Sequence, residues 1–182
     1  MPTEAIKKLE AAERQMNEAI RLFFERRDSV AVHTLAAASD QVLSDICAAK
    51  GIESPIRNDA YFIREGAHRK WFRVLKQAEN FFKHAKRDPE GTLDFSAEQT
   101  TWCLFDATSL YWRLTNDLTH EARVFLCWLF LREPDLLRDC PFKQSLVNLS
   151  DSTNVSTDDF AFFARLVTEG KGLAPRWGVF PG

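Results

Sequence analysis

The chain has 182 residues, of which 45% are hydrophobic and 27% are charged, and its formal net charge is −2. This length predicts one domain with a sizeable core, and the charge excludes a protein that binds polyanions through bulk charge alone. The longest apolar run, Val124–Leu131, has eight residues. It falls short of the roughly 20 residues that a membrane span needs, so we expect no membrane partner.

The sequence contains none of the common short motifs for metal binding, cofactor binding or nucleophilic catalysis. The cysteines at 47, 103, 127 and 140 are widely spaced and form no Cys-x-x-Cys pair. Phosphate-binding loops, dinucleotide fingerprints and serine elbows do not occur, so we expect no cofactor and no metal. The first ten residues are charged and amphipathic rather than apolar, which predicts a soluble protein of the reducing cytoplasm.

Two helices open the chain. Apolar residues at helical spacing predict a first helix over Thr3–Arg27. Asp28 can cap a second helix, which runs to about Lys50 and ends at Gly51. Because the link at residues 27 and 28 is short, we expect these helices to form an antiparallel hairpin.

The apolar pattern continues at helical spacing through most of the remaining chain. It predicts helices over Ile63–Arg87, Ala97–Leu114 and Glu121–Arg132, and a last helix capped by Ser156 or Thr157. We therefore predict an all-α fold, an irregular bundle of five to six helices with a less regular C-terminal third. Residues 1–149 should form the bundle core, with the polar loop, last helix and aromatic tail of residues 150–182 packed on the same domain.

The predicted helix over residues 63–87 has an unusual cationic side. Between Arg57 and Arg87 there are nine Lys or Arg residues against three acidic residues, an excess of six. Like charges at helical spacing repel each other by roughly 0.2–0.5 kcal/mol per pair. The row is therefore either balanced by acidic residues of a neighbour or meets an anionic partner. The candidate anion-binding residues are Arg69, Arg73, Lys76, Lys83 and Arg87.

Two histidines and one polar residue near each of them are the candidates for a catalytic role: Asn80, His84, Arg27 and His33. Asn80 and His84 are four residues apart and share one side of the basic helix, where Lys83 could complete a polar pocket. The alternative is that each histidine only ties its helix to a neighbour.

The spacing of arginine and histidine resembles a ribonuclease motif. Helical ribonucleases of the HEPN superfamily carry an Arg a short distance before a His. Arg27 precedes His33 with five residues between them, and Arg113 precedes His120 with six. The resemblance implies a metal-independent endoribonuclease, or an inactive relative, with the Arg and His at its site.

Other stretches resemble known helical proteins. The segment Glu79–His84 is similar to the end of a HEPN helix, although Glu79 stands where the superfamily has Arg. A set of uncharacterised small all-helical bacterial proteins resembles this chain in three stretches, AVHTLAAASDQVLSDI, NFFKHAKRDPEGTLDF and CLFDATSLYWRL. That set implies no function.

Three functions follow as hypotheses. The first is a binding or interaction module whose basic helix, residues 63–87, meets an acidic protein surface, nucleic acid or nucleotide. The second is a HEPN-like endoribonuclease or its inactive relative. The third is a purely structural homodimer that uses the many aromatic residues of the chain.

Overall fold

A computed structural model describes residues 3–52, 68–86, 88–136, 144, 148 and 155–169, and for residues 68–75 it describes the backbone only. These residues contain no strand and delimit six α-helices, which confirms the all-α fold class. The helices are α1 (Lys8–Phe24), α2 (Ser29–Ala49), α3 (His68–Lys83), α4 (Glu98–Thr115), α5 (His120–Arg132) and α6 (Phe160–Glu169), with a short 3-10 helix at Pro134–Leu136.

Several predictions fall outside the described residues. These are the start of the basic helix at Ile63, the side chains of Arg69 and Arg73, all of Arg87, and the aromatic tail. No helix in the described ranges is long and apolar enough to cross a membrane. The chain divides into two compact units, Met1–Leu118 and Thr119–Gly182. A bundle core over residues 1–149, with the remaining chain packed on it, stays a prediction.

Helices α1 and α2 pack against each other as the predicted hairpin. The Asp28 carboxylate caps α2 by accepting a hydrogen bond from the backbone N–H of Ala31 over 2.9 Å. Ala12 is buried where the helices meet, and the Ser39 hydroxyl donates to its carbonyl over 2.8 Å. Gly51, with a φ of +69°, follows the end of α2 in the left-handed region that favours glycine.

Helix α2 is central to the first unit because it packs against α1, α3 and α4. Helix α4 also packs against α1, and the Tyr111 hydroxyl donates to Oε2 of Glu13 over 2.8 Å. Leu104 and Leu110 of α4 are fully buried, as their apolar surroundings in the sequence predict. Three other helices are thus held around α2, and α3 is one of them.

In the second unit, α5 packs against the 3-10 helix and α6. Trp128 is buried, and its indole N–H donates to the carbonyl of Thr157 over 2.9 Å. The prediction that Ser156 or Thr157 caps the last helix is wrong, because Asp159 accepts from the backbone N–H of Phe162 at 3.0 Å. The Ser156 hydroxyl instead accepts from the N–H of Asp158 in the preceding turn.

Candidate functional site

Helix α3 carries most of the cations that were predicted to bind anions. The Nζ atom of Lys76 lies 2.7 Å from Oε2 of Glu79, and Nζ of Lys83 lies 2.8 Å from Oε1 of the same carboxylate. Glu79 follows one lysine by three residues and precedes the other by four, which are the spacings at which helical side chains meet. A single carboxylate therefore binds both lysines, and we call these three residues the Glu79 cluster.

The Glu79 cluster also joins α3 to α2. Nζ of Lys76 donates to Oε1 of Gln41 on α2, and the Gln41 amide donates to Oδ1 of Asp45 over 2.6 Å. The Glu79 side chain is only 11% exposed, against 27% for Lys76 and 34% for Lys83. Since a buried charge is tolerated only with partners, these lysines stabilise the helix as well as carrying charge.

The ionisation of Glu79 follows from its two partners. Burial by itself would raise the pKa of this carboxyl, because a low-dielectric environment disfavours the charged form. The hydrogen bonds and charges of Lys76 and Lys83 outweigh burial, so the pKa of Glu79 lies below its ordinary value of 4.5. The cluster therefore holds one negative and two positive charges at neutral pH, and its net charge is positive.

His33 lies in α2 beneath α3, and it is completely buried. Its Nδ1 atom is 3.1 Å from the hydroxyl oxygen of Thr100 on α4. Its ring meets those of Phe95 and Phe82 edge to face, with centroids 4.9 and 5.8 Å away. These contacts bring α2, α3, α4 and the loop before α4 together around one imidazole.

The surroundings of His33 keep the ring neutral. Burial lowers the pKa of His33 to about 4, the Glu79 charge opposes this, and the Lys83 charge adds to it. Among the described residues its Nε2 atom has no hydrogen-bond partner, so none of them would stabilise a second proton there. His33 is therefore placed to hold elements together, which is the alternative that the sequence left open for the histidines.

A different side of α3 faces solvent. Gln77, Asn80 and His84 are exposed, and Phe81 is partly exposed with its ring edge to face with that of Phe82, at 6.0 Å between centroids. Asn80, Phe81 and His84 follow Gln77 by three, four and seven residues. His84 comes directly after the end of α3, but its backbone N–H still donates to the carbonyl of Asn80 over 3.1 Å, so the four side chains keep helical spacing and share one face. We call this the outer face of α3.

The four candidate catalytic residues do not form one group among the described contacts. The Arg27 side chain is 66% exposed and its Nε lies 2.9 Å from Oε2 of Glu25, whereas His33 is fully buried. Asn80 and His84 do share the outer face, as the sequence predicts, but Lys83 is bound to Glu79 rather than completing their pocket. The described contacts therefore support a solvent-facing group at Asn80 and His84 only.

The second arginine and histidine pair is divided between the two units. Arg113 belongs to the last turn of α4 in the first unit. His120 begins α5 in the second unit, and its Nε2 donates to the carbonyl of Leu166 over 2.8 Å. This histidine thus ties α5 to α6. Within the described part of the chain, no group of three or more His, Cys, Asp or Glu side chains could hold a metal ion.

The chain matches no protein-family model, and neither the curated proteins nor the solved structures contain a significant match to it. The resemblances to HEPN ribonucleases and to small bacterial helical proteins therefore gain no support from these comparisons.

Glu79 is one of the three acidic residues counted in the basic segment, and its role between two lysines was not predicted. The signal was present, because an acid three residues after one lysine and four before another is a standard pattern of helix ion pairs. Gln41, Phe95 and Thr100 were missed for another reason. They lie far from α3 or from His33 in sequence, and only packing brings them together.

Proposed function

We propose that this chain is a binding module that meets an anionic partner through α3 and the residues that follow it. One observation carries the proposal, the charge of residues 68–86. This segment contains six cations against one acid: Arg69, Lys70, Arg73, Lys76, Lys83 and Lys86 against Glu79.

The Glu79 cluster leaves this excess largely intact. Glu79 balances one of its two lysines, so the segment keeps five more positive charges than negative ones, six minus one. Lys76 and Lys83 remain partly exposed while they bind Glu79, and Lys86 is exposed. A phosphate or carboxylate of a partner can approach such a surface and is attracted to it, more strongly at low ionic strength. The partner classes that fit are nucleic acid, nucleotide and acidic protein surface.

A labelled single-stranded RNA of about 12 nucleotides serves as the anionic probe. Its affinity, measured by fluorescence anisotropy, should fall between about 50 and 200 mM salt, by about 0.7 log unit per tenfold salt for each phosphate neutralised. The double variant Arg73→Glu, Lys86→Glu should bind at least about tenfold more weakly at low salt, because it removes two cations and adds two repulsive charges.

The matched control is the double variant Lys7→Glu, Lys8→Glu at the start of α1, which changes the net charge by the same amount. It should retain the affinity of the unmodified protein. Absence of binding at low salt, or equal weakening by both double variants, would contradict a binding surface on α3.

The ribonuclease and homodimer hypotheses have less support. Arg27 and His33 differ in accessibility, since one is exposed and ion-paired and the other is buried. Ile6 and Val30 are the exposed large apolar residues of the described ranges; Ile6 precedes α1 and Val30 lies in the first turn of α2, so neither belongs to an exposed cluster of aromatic residues. The anionic-partner proposal therefore comes first.

A further inference from the structure

We propose that the outer face of α3 binds the unpaired bases of a single-stranded nucleic acid. This inference rests on the proposed function, because the cations of the same segment would supply the phosphate contacts. It goes beyond attraction between charges, since it assigns a separate role to Gln77, Asn80, Phe81 and His84.

The first support is that the ion-paired lysines and the exposed uncharged side chains lie on different sides of α3. The lysines at 76 and 83 are held to one side by Glu79, and Gln41 ties that side to α2. The outer face, by contrast, is open to solvent at Gln77, Asn80 and His84, and its helical spacing continues to Arg73, four residues before Gln77. A partner that approaches this face can therefore meet hydrogen-bonding groups and rings on the same helix as the cations.

The second support is the chemistry of those groups. The side-chain amides of Gln77 and Asn80 each offer donors and an acceptor, the combination that matches the edge of a base. Phe81 and His84 offer flat rings on which bases can stack. Phe81 is partly exposed, and Phe82 packs against it edge to face, so its ring is supported from within the helix.

Stacking selects single strands over duplexes. In a duplex the base faces are covered by their neighbours, whereas unpaired bases can turn onto an aromatic ring. The charge balance favours nucleic acid, because the segment that carries these amides and rings has six cations against one acid, enough to bind a phosphate backbone beside the bases. A surface for acidic side chains would not need exposed amides and rings at this spacing.

The test compares two strands with the same backbone. One is the labelled RNA probe, and the other is an abasic strand of equal length that keeps the sugar and phosphate groups. The unmodified protein should bind the RNA at least about fivefold more tightly than the abasic strand, the lower end of what stacking of one base contributes. The affinity for a DNA strand of the same sequence is measured as well. Tighter binding than the abasic strand by either RNA or DNA supports the proposal, and the tighter of the two identifies the natural source.

Substitutions then locate the effect. Phe81→Ala should lose about fivefold or more in RNA affinity and leave the abasic strand unaffected, while Phe81→Tyr keeps the ring and should stay within about twofold. Asn80→Ala should weaken RNA binding in the same selective way. The matched control is Phe162→Ala on α6, where a partly exposed phenyl ring also packs edge to face on the next residue, at 5.3 Å between centroids. This control should leave both affinities unchanged.

The outcomes separate the two proposals. Equal, salt-dependent binding of RNA and abasic strands would overturn base binding and leave the anionic-partner proposal standing. Binding of neither strand at low salt would overturn both. If Phe81→Ala weakened both strands equally, its effect would be on the fold of α3, and the role of the outer face would be refuted.

Discussion

The two sides of α3 differ in how their polar groups are used. On one side, Glu79 holds two lysines, and one of them also binds Gln41 of α2. On the outer face, Gln77, Asn80 and His84 are exposed to solvent. The lysines of the charged side thus have partners within the protein, whereas the amides and the imidazole of the outer face are exposed to solvent.

Charge and availability for binding are therefore separate properties of a helix surface. A lysine that is paired with a glutamate one helical turn away can stabilise the fold whether or not it also binds a partner. An amide or ring that projects into solvent contributes little to the stability of the fold in this way.

Replacing Glu79 should cause the largest loss of stability. Glu79→Ala removes two charge-assisted hydrogen bonds and leaves Lys76 and Lys83 without their shared carboxylate. Because both lysines can turn partly to water, we expect a loss of about 2–3 kcal/mol in the free energy of unfolding, measured by urea titration. The exposed Glu90→Ala is the control and should stay within about 0.5 kcal/mol. Equal losses in the two variants would remove the distinction between the two sides.

The buried His33 beneath α3 should make stability depend on pH. Its pKa is about 4 in the folded chain and about 6.5 when unfolded, so the unfolded state binds more protons between these values. Stability is therefore full above about pH 6.5 and falls as the pH decreases towards 4. From about pH 7.5 to pH 5 the loss should be about 2 kcal/mol.

Urea titrations at both pH values measure this loss, and His33→Gln should abolish most of it because glutamine does not titrate there. Glu79 cannot mimic the effect. Its pKa is lowered, so its stabilisation is lost only as the pH falls below about 4.5. If His33→Gln kept the full pH dependence, His33 would not be the buried neutral group described above.

The lysines at 83 and 86 should differ in how much each contributes to the free energy of unfolding. Lys83→Met should reduce stability by about 1 kcal/mol, because Lys83 binds a mostly buried carboxylate but is itself 34% exposed. Lys86→Met, at an exposed position three residues later, should change stability by less than about 0.5 kcal/mol. Urea midpoints that are lowered equally would show that the ion pair with Glu79 adds nothing.

Substitutions on the outer face should hardly change the stability of the fold. Gln77→Ala and Asn80→Ala remove exposed side chains from a helix and introduce its best former, so the melting temperature should stay the same or rise slightly. A clear drop in melting temperature would mean that these side chains support the fold rather than a partner.

Much of the fold could be predicted because its signals are local. The cap at Asp28, the turn after α2 and the apolar spacing of α1 each act within a few residues. The cap of α6 was misplaced because Ser156 and Asp159 are both good caps, and only the turn between them decides which one the helix uses.

The site was harder to predict because its key contacts are not local. Asn80 and His84 share a face that helical spacing alone predicts. In contrast, the burial of His33 depends on Phe95 and Thr100, which approach it only through tertiary packing. The role of Gln41 at Lys76 likewise joins two helices. Spacing can identify which side chains share a helix face, but it cannot show which of those faces a neighbour covers.

One titration tests the contrast between the two sides of α3 most directly. Side-chain amide signals of nitrogen-15-labelled protein can be followed by NMR while single-stranded RNA is added. We expect the amide signals of Gln77 and Asn80 to shift together and to saturate. The amide of Gln41, which is already held by Lys76 and Asp45, should stay in place as the internal control. Bound RNA that leaves Gln77 and Asn80 unshifted, or that shifts Gln41 instead, would contradict the assignment of binding to the outer face.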